Sequence, residues 1–194
     1  FHDEVRNELE EKPPLVSELR QELSPLQQEM QHALAAAVTA CLRELKQNTT
    51  HLVDWNMEEL SVENCVTQPF DRTITRQLES DWHRLAPATK QLVQDLRTLR
   101  TLFQSLIVYD SITFYKLLTS IQTMSAASRH ASLWLLTPAA DVLFRKAKQR
   151  VYTVYHPKPS AEEPEPVGQL NAVLEENPKW RLLRKVLDEI KEKD

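Results

Sequence analysis

An all-α, bundle-like domain is the fold class that this sequence predicts, and three observations predict it. A single glycine, Gly168, stands in 194 residues. Apolar residues recur at three- and four-residue spacing along several stretches. Eleven prolines punctuate those stretches where helices start or stop. The scarcity of glycine also bears on function, because a P-loop, a Rossmann fingerprint and a G-x-S-x-G elbow each need glycine where the backbone turns tightly or nears a ligand. None of the three is present, which favours a helical spacer or docking domain over a self-contained catalyst.

Taken in order, residues 1–12 read as the end of a helix stopped by Pro13-Pro14, and Leu15 to Leu19 as a short strand without a partner. Ser24-Pro25 supplies a capping hydroxyl followed by proline at the first helical position. The helix it opens is expected to run to about Lys46 and to bury Leu34, Val38, Cys41, Leu42 and Leu45. A short helix over Glu58 to Cys65 precedes one beginning near Phe70, where Phe70, Ile74, Leu78 and Trp82 repeat every fourth residue as a core face. Pro87 opens the clearest helix, with Leu92, Val93, Leu96, Leu99, Leu102, Phe103, Leu106 and Ile107 on a broad apolar face. After Tyr109-Asp110 a helix carries Ile112, Tyr115, Leu118 and Ile121, and Leu133 to Leu136 forms a short segment before Pro138. The helix from Pro138 ends in Arg145-Lys146-Ala147-Lys148-Gln149-Arg150. Residues 157–168, rich in proline and glutamate, read as a flexible linker. Asn177-Pro178-Lys179-Trp180 then starts a final helix with Trp180, Leu183, Val186, Leu187 and Ile190 on one side.

The length and the 41% hydrophobic content suffice for one sizeable core with appendages. No run approaches the ~18 apolar residues of a membrane span, and the opening Phe-His-Asp-Glu-Val-Arg has neither signal nor transit character, so a soluble chain without membrane contact is expected. Cys41 and Cys65 read as buried thiols of a reducing compartment, with Asn48-Thr49-Thr50 a polar helix terminus and not a glycosylation site. The net charge of −4 hides an asymmetry: −5 over residues 1–30, −3 over 31–67, +7 over 68–160 and −3 over 161–194. A basic centre between acidic flanks fits nucleic acid or an acidic partner.

Within that centre, Arg145 and Lys148 share one helix face and Lys146 and Arg150 the next, four cations over about two turns. Such a strip suits phosphate contacts, which position a protein without reading sequence, while the competing reading is a solvated face that complements the helix dipole. Lys90, Arg97 and Arg100 form a second strip, for which an exposed polar face competes with DNA contact. Trp82 continues a core series and His83 sits at its rim, so a base-stacking platform there is not expected. His2, His32, His51, His130 and His156 have no ligand spacing with one another or with the cysteines, and no metal site is expected. Ser105, Ser111 and Ser132 lack a glycine turn or neighbouring histidine, and the paired acids Glu10-Glu11, Glu58-Glu59 and Glu162-Glu163 lie in polar contexts, so no catalytic residue is nominated. The alanine-rich stretch Ala33 to Leu42 suits either core packing or a groove closely approached by another chain.

The segments Leu60-Ser61-Val62-Glu63-Asn64, Pro69-Phe70-Asp71-Arg72-Thr73-Ile74, Trp82-His83-Arg84-Leu85 and Thr89-Lys90-Gln91-Leu92-Val93-Gln94-Asp95-Leu96 together resemble the XPF family. Leu99-Arg100-Thr101-Leu102, Tyr109-Asp110, Thr113-Phe114 and Ala147-Lys148-Gln149-Arg150-Val151-Tyr152 continue the match in the same order, over nearly the whole chain. The resemblance implies a part of the large subunit of a heterodimeric, structure-specific endonuclease that cuts near duplex and single-strand junctions in nucleotide excision and crosslink repair, in the nucleus. It implies a helical domain inserted between the RecA-like lobes of a degenerate superfamily 2 helicase module. On that basis residues 1–23 are the end of the first lobe and a connector, 24–156 the helical domain, 157–169 an acidic linker, and 170–194 the helical entry to the second lobe. The acidic 161–166 stretch departs from the lysine-rich character expected of animal relatives. The nuclease motif with its divalent metal, such as Mg or Mn, and the module that pairs with the small subunit are expected outside these residues, so no cofactor is expected within them. Branched or junction DNA is the implied ligand of Arg145, Lys146, Lys148, Arg150, Lys90, Arg97 and Arg100. An SLX-type repair scaffold is the implied partner of Cys41, Leu42 and Leu45. A purely structural or protein-docking module without intrinsic DNA binding is the alternative.

Overall fold

The computed structural model describes residues 2–13, 16–52, 55, 60–66, 69–128, 131–155 and 169–192. Helix α1 (Asp3–Glu11) is followed by residues 16–23, which run without regular structure, so the strand expected at Leu15 to Leu19 does not form over its described part. A strand with no neighbour leaves its backbone groups to water and gains nothing from extension.

Helix α2 (Pro25–Thr49) begins at a reciprocal capping box in which Gln27 N donates to Ser24 Oγ and Ser24 N to Gln27 Oε1. The Gln27 amide is itself buried and donates to Leu106 O at 3.2 Å, so one side chain both caps α2 and ties it to the end of a distant helix. At the other end Thr49 Oγ1 accepts from Trp55 Nε1 at 2.8 Å and donates to Leu45 O, which satisfies a buried indole without a charge. Helix α3 (Val62–Cys65) is capped by Ser61, and α4 (Pro69–Leu78) buries Phe70, Ile74 and Leu78.

The fourth member of that series, Trp82, is 38% exposed, which corrects the core position expected of it. The helix has ended at Leu78, and the chain turns through a 3₁₀ segment at Trp82–Arg84 that buries Leu85 in its place. Four-residue spacing places side chains on one face only while the helix continues.

Helices α5 (Pro87–Val108), α6 (Ser111–Ala127) and α7 (Pro138–Val151) complete the bundle, with a 3₁₀ turn at Leu133–Leu136 before α7. Asp110 caps α6 by accepting from Ile112 N and Thr113 N, both at 2.9 Å. Thr137 caps α7. Helix α2 packs on both α5 and α7, and α6 packs on α7. Buried Ala33 and Ala37 on α2 and Ala140 and Ala147 on α7 shorten the side chains of these two helices, which suits close approach of their backbones. The core joins these to Leu34, Leu96, Leu99, Phe114, Trp134 and Leu143.

Two strands were not expected. β1 (Tyr152–Tyr155) pairs antiparallel with β2 (Gln169–Ala172), Tyr152 opposite Ala172 and Tyr155 opposite Gln169. The acidic 157–168 stretch lies outside the described residues. After β2 the backbone turns at Leu174, whose φ of 49° is left-handed, and the amides of Val173 and Glu175 donate to Val151 O and Arg150 O, each at 2.8 Å. Those carbonyls are among the last of α7 and have no partner within the helix, so the connector caps α7 and offsets the ~1 to 2 kcal/mol of a left-handed leucine. Helix α8 (Pro178–Lys191) is capped by Asn177, whose Nδ2 also donates to Ile107 O at 3.2 Å. Its apolar face, Trp180, Leu183, Leu187 and Ile190, is exposed.

Arg150 closes this arrangement. Its side chain is fully buried, its Nε donates to Glu175 Oε2, and its two Nη atoms have no hydrogen-bond partner among the described residues. Removing one partner of a buried pair leaves an uncompensated charge, so Glu175→Ala is expected to cost about 3 kcal/mol, read as a lower thermal midpoint by circular dichroism. An unchanged midpoint would contradict the structural role of the pair.

Candidate nucleic-acid interface

The four cations at the end of α7 divide between two duties. The helix buries Leu143, Ala147 and Val151 towards its neighbours. At 100° per residue Lys146 and Arg150 fall on one side of that buried line, Arg145 and Lys148 on the other. Lys146 turns to α2, where its Nζ lies 2.7 Å from Glu29 Oε2 with the lysine side chain 18% exposed. Arg150 lies in the interior beneath the 173–177 connector. The expectation of a four-cation strip is therefore corrected: Arg150 is out of reach of any surface ligand in this fold, and Lys146 is engaged by a carboxylate.

Arg145 and Lys148 remain exposed, and among the described residues neither forms an ion pair. Together with Gln149, Tyr152, Thr153 and Leu170 they line a cleft of about 440 Å³ between the end of α7 and the strand pair. Tyr152 stands at the root of β1, its ring edge-on to that of Tyr115 with centroids 6.5 Å apart. Two exposed cations one turn apart, an aromatic ring, an amide and a hydroxyl thus meet in one concavity. Such a set can bind an anion and a planar group, and it holds no nucleophile with a general base.

The second strip is partly absorbed by packing. Lys90, Arg97 and Arg100 are all half-buried along α5. The Lys90 ammonium lies 5.7 Å over the Trp82 ring, a cation–π contact between α5 and the preceding 3₁₀ turn. Arg97 Nη2 donates to Thr75 Oγ1 at 2.9 Å, tying α5 to α4.

Of the residues expected to dock a partner, Cys41, Leu42 and Leu45 are 3%, 4% and 0% exposed, which places all three in the core. Side chains so covered cannot serve as a free docking patch. Leu42 reaches a pocket of about 370 Å³ between α2 and α3 that Arg43, Lys46, Leu60 and Val62 also line. A second groove of about 430 Å³, between α2 and the start of α7, is lined by Ala33, Ala36, Pro138, Ala139 and Val142 with Glu29 and His32. Among the described residues no group of histidine, cysteine and acidic side chains could hold a metal ion, and no helix is long and apolar enough to cross a membrane.

No protein-family model matches the chain. It is 40% identical over 198 residues to the DNA repair endonuclease XPF of Cricetulus griseus, covering 98% of this chain and 21% of that protein. It is 37% identical over 195 residues to the DNA repair protein rad16 of Schizosaccharomyces pombe, again 98% of this chain and 21% of the relative. The DNA repair endonuclease UVH1 of Arabidopsis thaliana is 34% identical over 96% of this chain and 22% of its own length. The chain belongs to the XPF family. It spans about a fifth of the length of these relatives.

In this XPF-family segment both cysteines are buried thiols outside any disulfide, as the sequence leads one to expect. Burial pushes the Cys41 thiol up to about 12, with Asp95 adding to the shift. A folded value above the ordinary 9.0 means that this group's contribution to stability is full below that pH and declines as pH rises beyond it. At pH 8 Cys41 should resist iodoacetamide until the chain is unfolded in denaturant, as peptide mass spectrometry would show. Rapid alkylation of the native protein would contradict the burial.

Proposed function

We propose that this XPF-family segment is a non-catalytic helical domain that helps a DNA repair endonuclease engage branched or junction DNA. The observation that carries the reading is the pair of cations Arg145 and Lys148, without an ion pair among the described residues and exposed at a cleft within the +7 stretch of an acidic chain. The names of the relatives, DNA repair endonucleases from animal and plant, support the same reading. The contacts are to phosphates, so affinity is independent of sequence and falls as salt rises.

The surroundings follow from the same proposal. Residues 24–156 form the helical domain, and the flanks 1–23 and 170–194 belong with RecA-like lobes of a degenerate superfamily 2 helicase module, which the exposed apolar face of α8 supports. The whole protein would act in the nucleus in nucleotide excision and crosslink repair. Its divalent-metal nuclease and its contacts with the small subunit would lie mainly outside these residues. An SLX-type scaffold would find its docking site beside α2, where the pocket at Leu42, Leu60 and Val62 offers an apolar floor. That pocket also supports a second reading, a purely structural or docking domain without DNA binding of its own.

Reversal of both free cations separates the two. Arg145→Glu with Lys148→Glu should weaken binding to a splayed duplex about tenfold or more in fluorescence anisotropy at low salt, with the circular dichroism spectrum unchanged. Unchanged affinity would remove the cleft from DNA engagement and leave the docking reading.

A further inference from the structure

The geometry points to a more specific ligand for the cleft at the strand root: a single unpaired nucleotide, its phosphate held by Arg145 and Lys148 and its base laid against Tyr152. This rests on the phosphate-contact reading above and adds to it a strand type and a stacking residue.

A convex phosphate-binding surface needs only exposed cations, whereas these two stand on the wall of a cleft of about 440 Å³, within the ~300 to 1,000 Å³ range of pockets that enclose a small ligand. A duplex keeps its bases stacked inside and offers such a concavity only its backbone. An unstacked strand offers a base as well.

The composition of the wall fits a base. Tyr152 is 39% exposed, held by strand pairing with Ala172 behind it and by the edge-on contact with Tyr115. An aromatic ring fixed on the backbone of a strand loses little freedom when a base stacks on it. Leu170, 59% exposed, supplies an apolar side to the same cleft, while Gln149 and Thr153 supply groups that both donate and accept. Ring, apolar wall, two cations and polar groups are what a nucleotide asks for, and an acidic peptide would have no use for the ring and the leucine together.

Charge fits the same ligand. Lys146 and Arg150, two of the four cations of this helix end, are engaged with Glu29 and Glu175, whereas Arg145 and Lys148 form no ion pair among the described residues. No ion pair with a described residue has to break for these two to meet a phosphate.

The test is fluorescence anisotropy of the 194-residue chain with a labelled short oligothymidylate and, separately, a blunt duplex. Tyr152→Leu keeps apolar bulk against Tyr115 but removes the stacking plane, Tyr152→Phe keeps the plane, and Arg145→Ala with Lys148→Ala removes the phosphate contacts. The expected result is that Tyr152→Leu weakens oligothymidylate binding about 5- to 100-fold with duplex affinity within about twofold, and that Tyr152→Phe stays within about threefold of the unaltered chain on both. Thymidine monophosphate should compete for the oligothymidylate with the unaltered chain and not with Tyr152→Leu, which distinguishes a cleft that takes a nucleotide from one that merely tracks a strand. If Tyr152→Leu leaves oligothymidylate binding unchanged while the cation variant loses both ligands, the nucleotide cleft is overturned and phosphate contact stands. If the unaltered chain binds neither DNA, both fall. Displacement of oligothymidylate by oligoglutamate at concentrations where thymidine monophosphate has no effect would overturn the inference in favour of an acidic peptide.

Discussion

The position of the strand pair against the end of α7 hangs on one buried ion pair, Arg150 with Glu175. A guanidinium wholly removed from solvent is costly unless its charge is met, and the carboxylate that meets it comes from 25 residues further along the chain. Glu175 can reach Arg150 only if the connector after β2 lies over the end of α7. That connector donates its amides to the last carbonyls of α7 and passes directly into the cap of α8. One ion pair therefore fixes where the strand pair stands relative to the helix, and the cleft lies where the two meet.

This division of labour within one basic helix end has a physical logic. The carboxyl end of a helix carries partial negative charge, so cations there are favourable whether or not they have a ligand. Helical geometry then sorts them by side. Those turned toward α2 and the connector meet Glu29 and Glu175 and become part of the fold, while those turned toward the strands meet no carboxylate among the described residues and keep their charge for solvent or a ligand. Lys90 and Arg97 show the same absorption on α5, where a tryptophan face and a threonine hydroxyl take them up.

Much of the helical skeleton could be read from the chain because its signals are local. Pro25, Pro87, Pro138 and Pro178 each stand at a first helical position, with a cap or an extended residue before it, and the apolar period of α5 matches its buried face as far as Leu106, beyond which Ile107 is exposed. What the sequence could not carry was long-range. Four-residue spacing extends Phe70, Ile74 and Leu78 to Trp82, yet nothing local records that α4 stops at Leu78. Tyr152 to Tyr155 is a short β-prone run, but its partner lies across thirteen residues without a tight hairpin signal, so the strand pair and the cleft it walls stayed hidden. Arg150 reads as a surface cation because its partner Glu175 lies in another element. Arg145 and Lys148 were legible as a face, whereas their separation from Lys146 and Arg150 required the fold.

Folding, and not the count of basic residues, decides which cations of α7 stay exposed to a ligand. The most direct measurement compares two single neutralisations, Lys146→Gln and Lys148→Gln, by the slope of log affinity against log salt for a splayed duplex, alongside thermal melts. Lys148→Gln is expected to flatten the slope by one contact, roughly 0.9, with its melting midpoint unchanged, while Lys146→Gln keeps the slope and lowers the midpoint. Equal flattening by both substitutions, with neither affecting the melt, would contradict it.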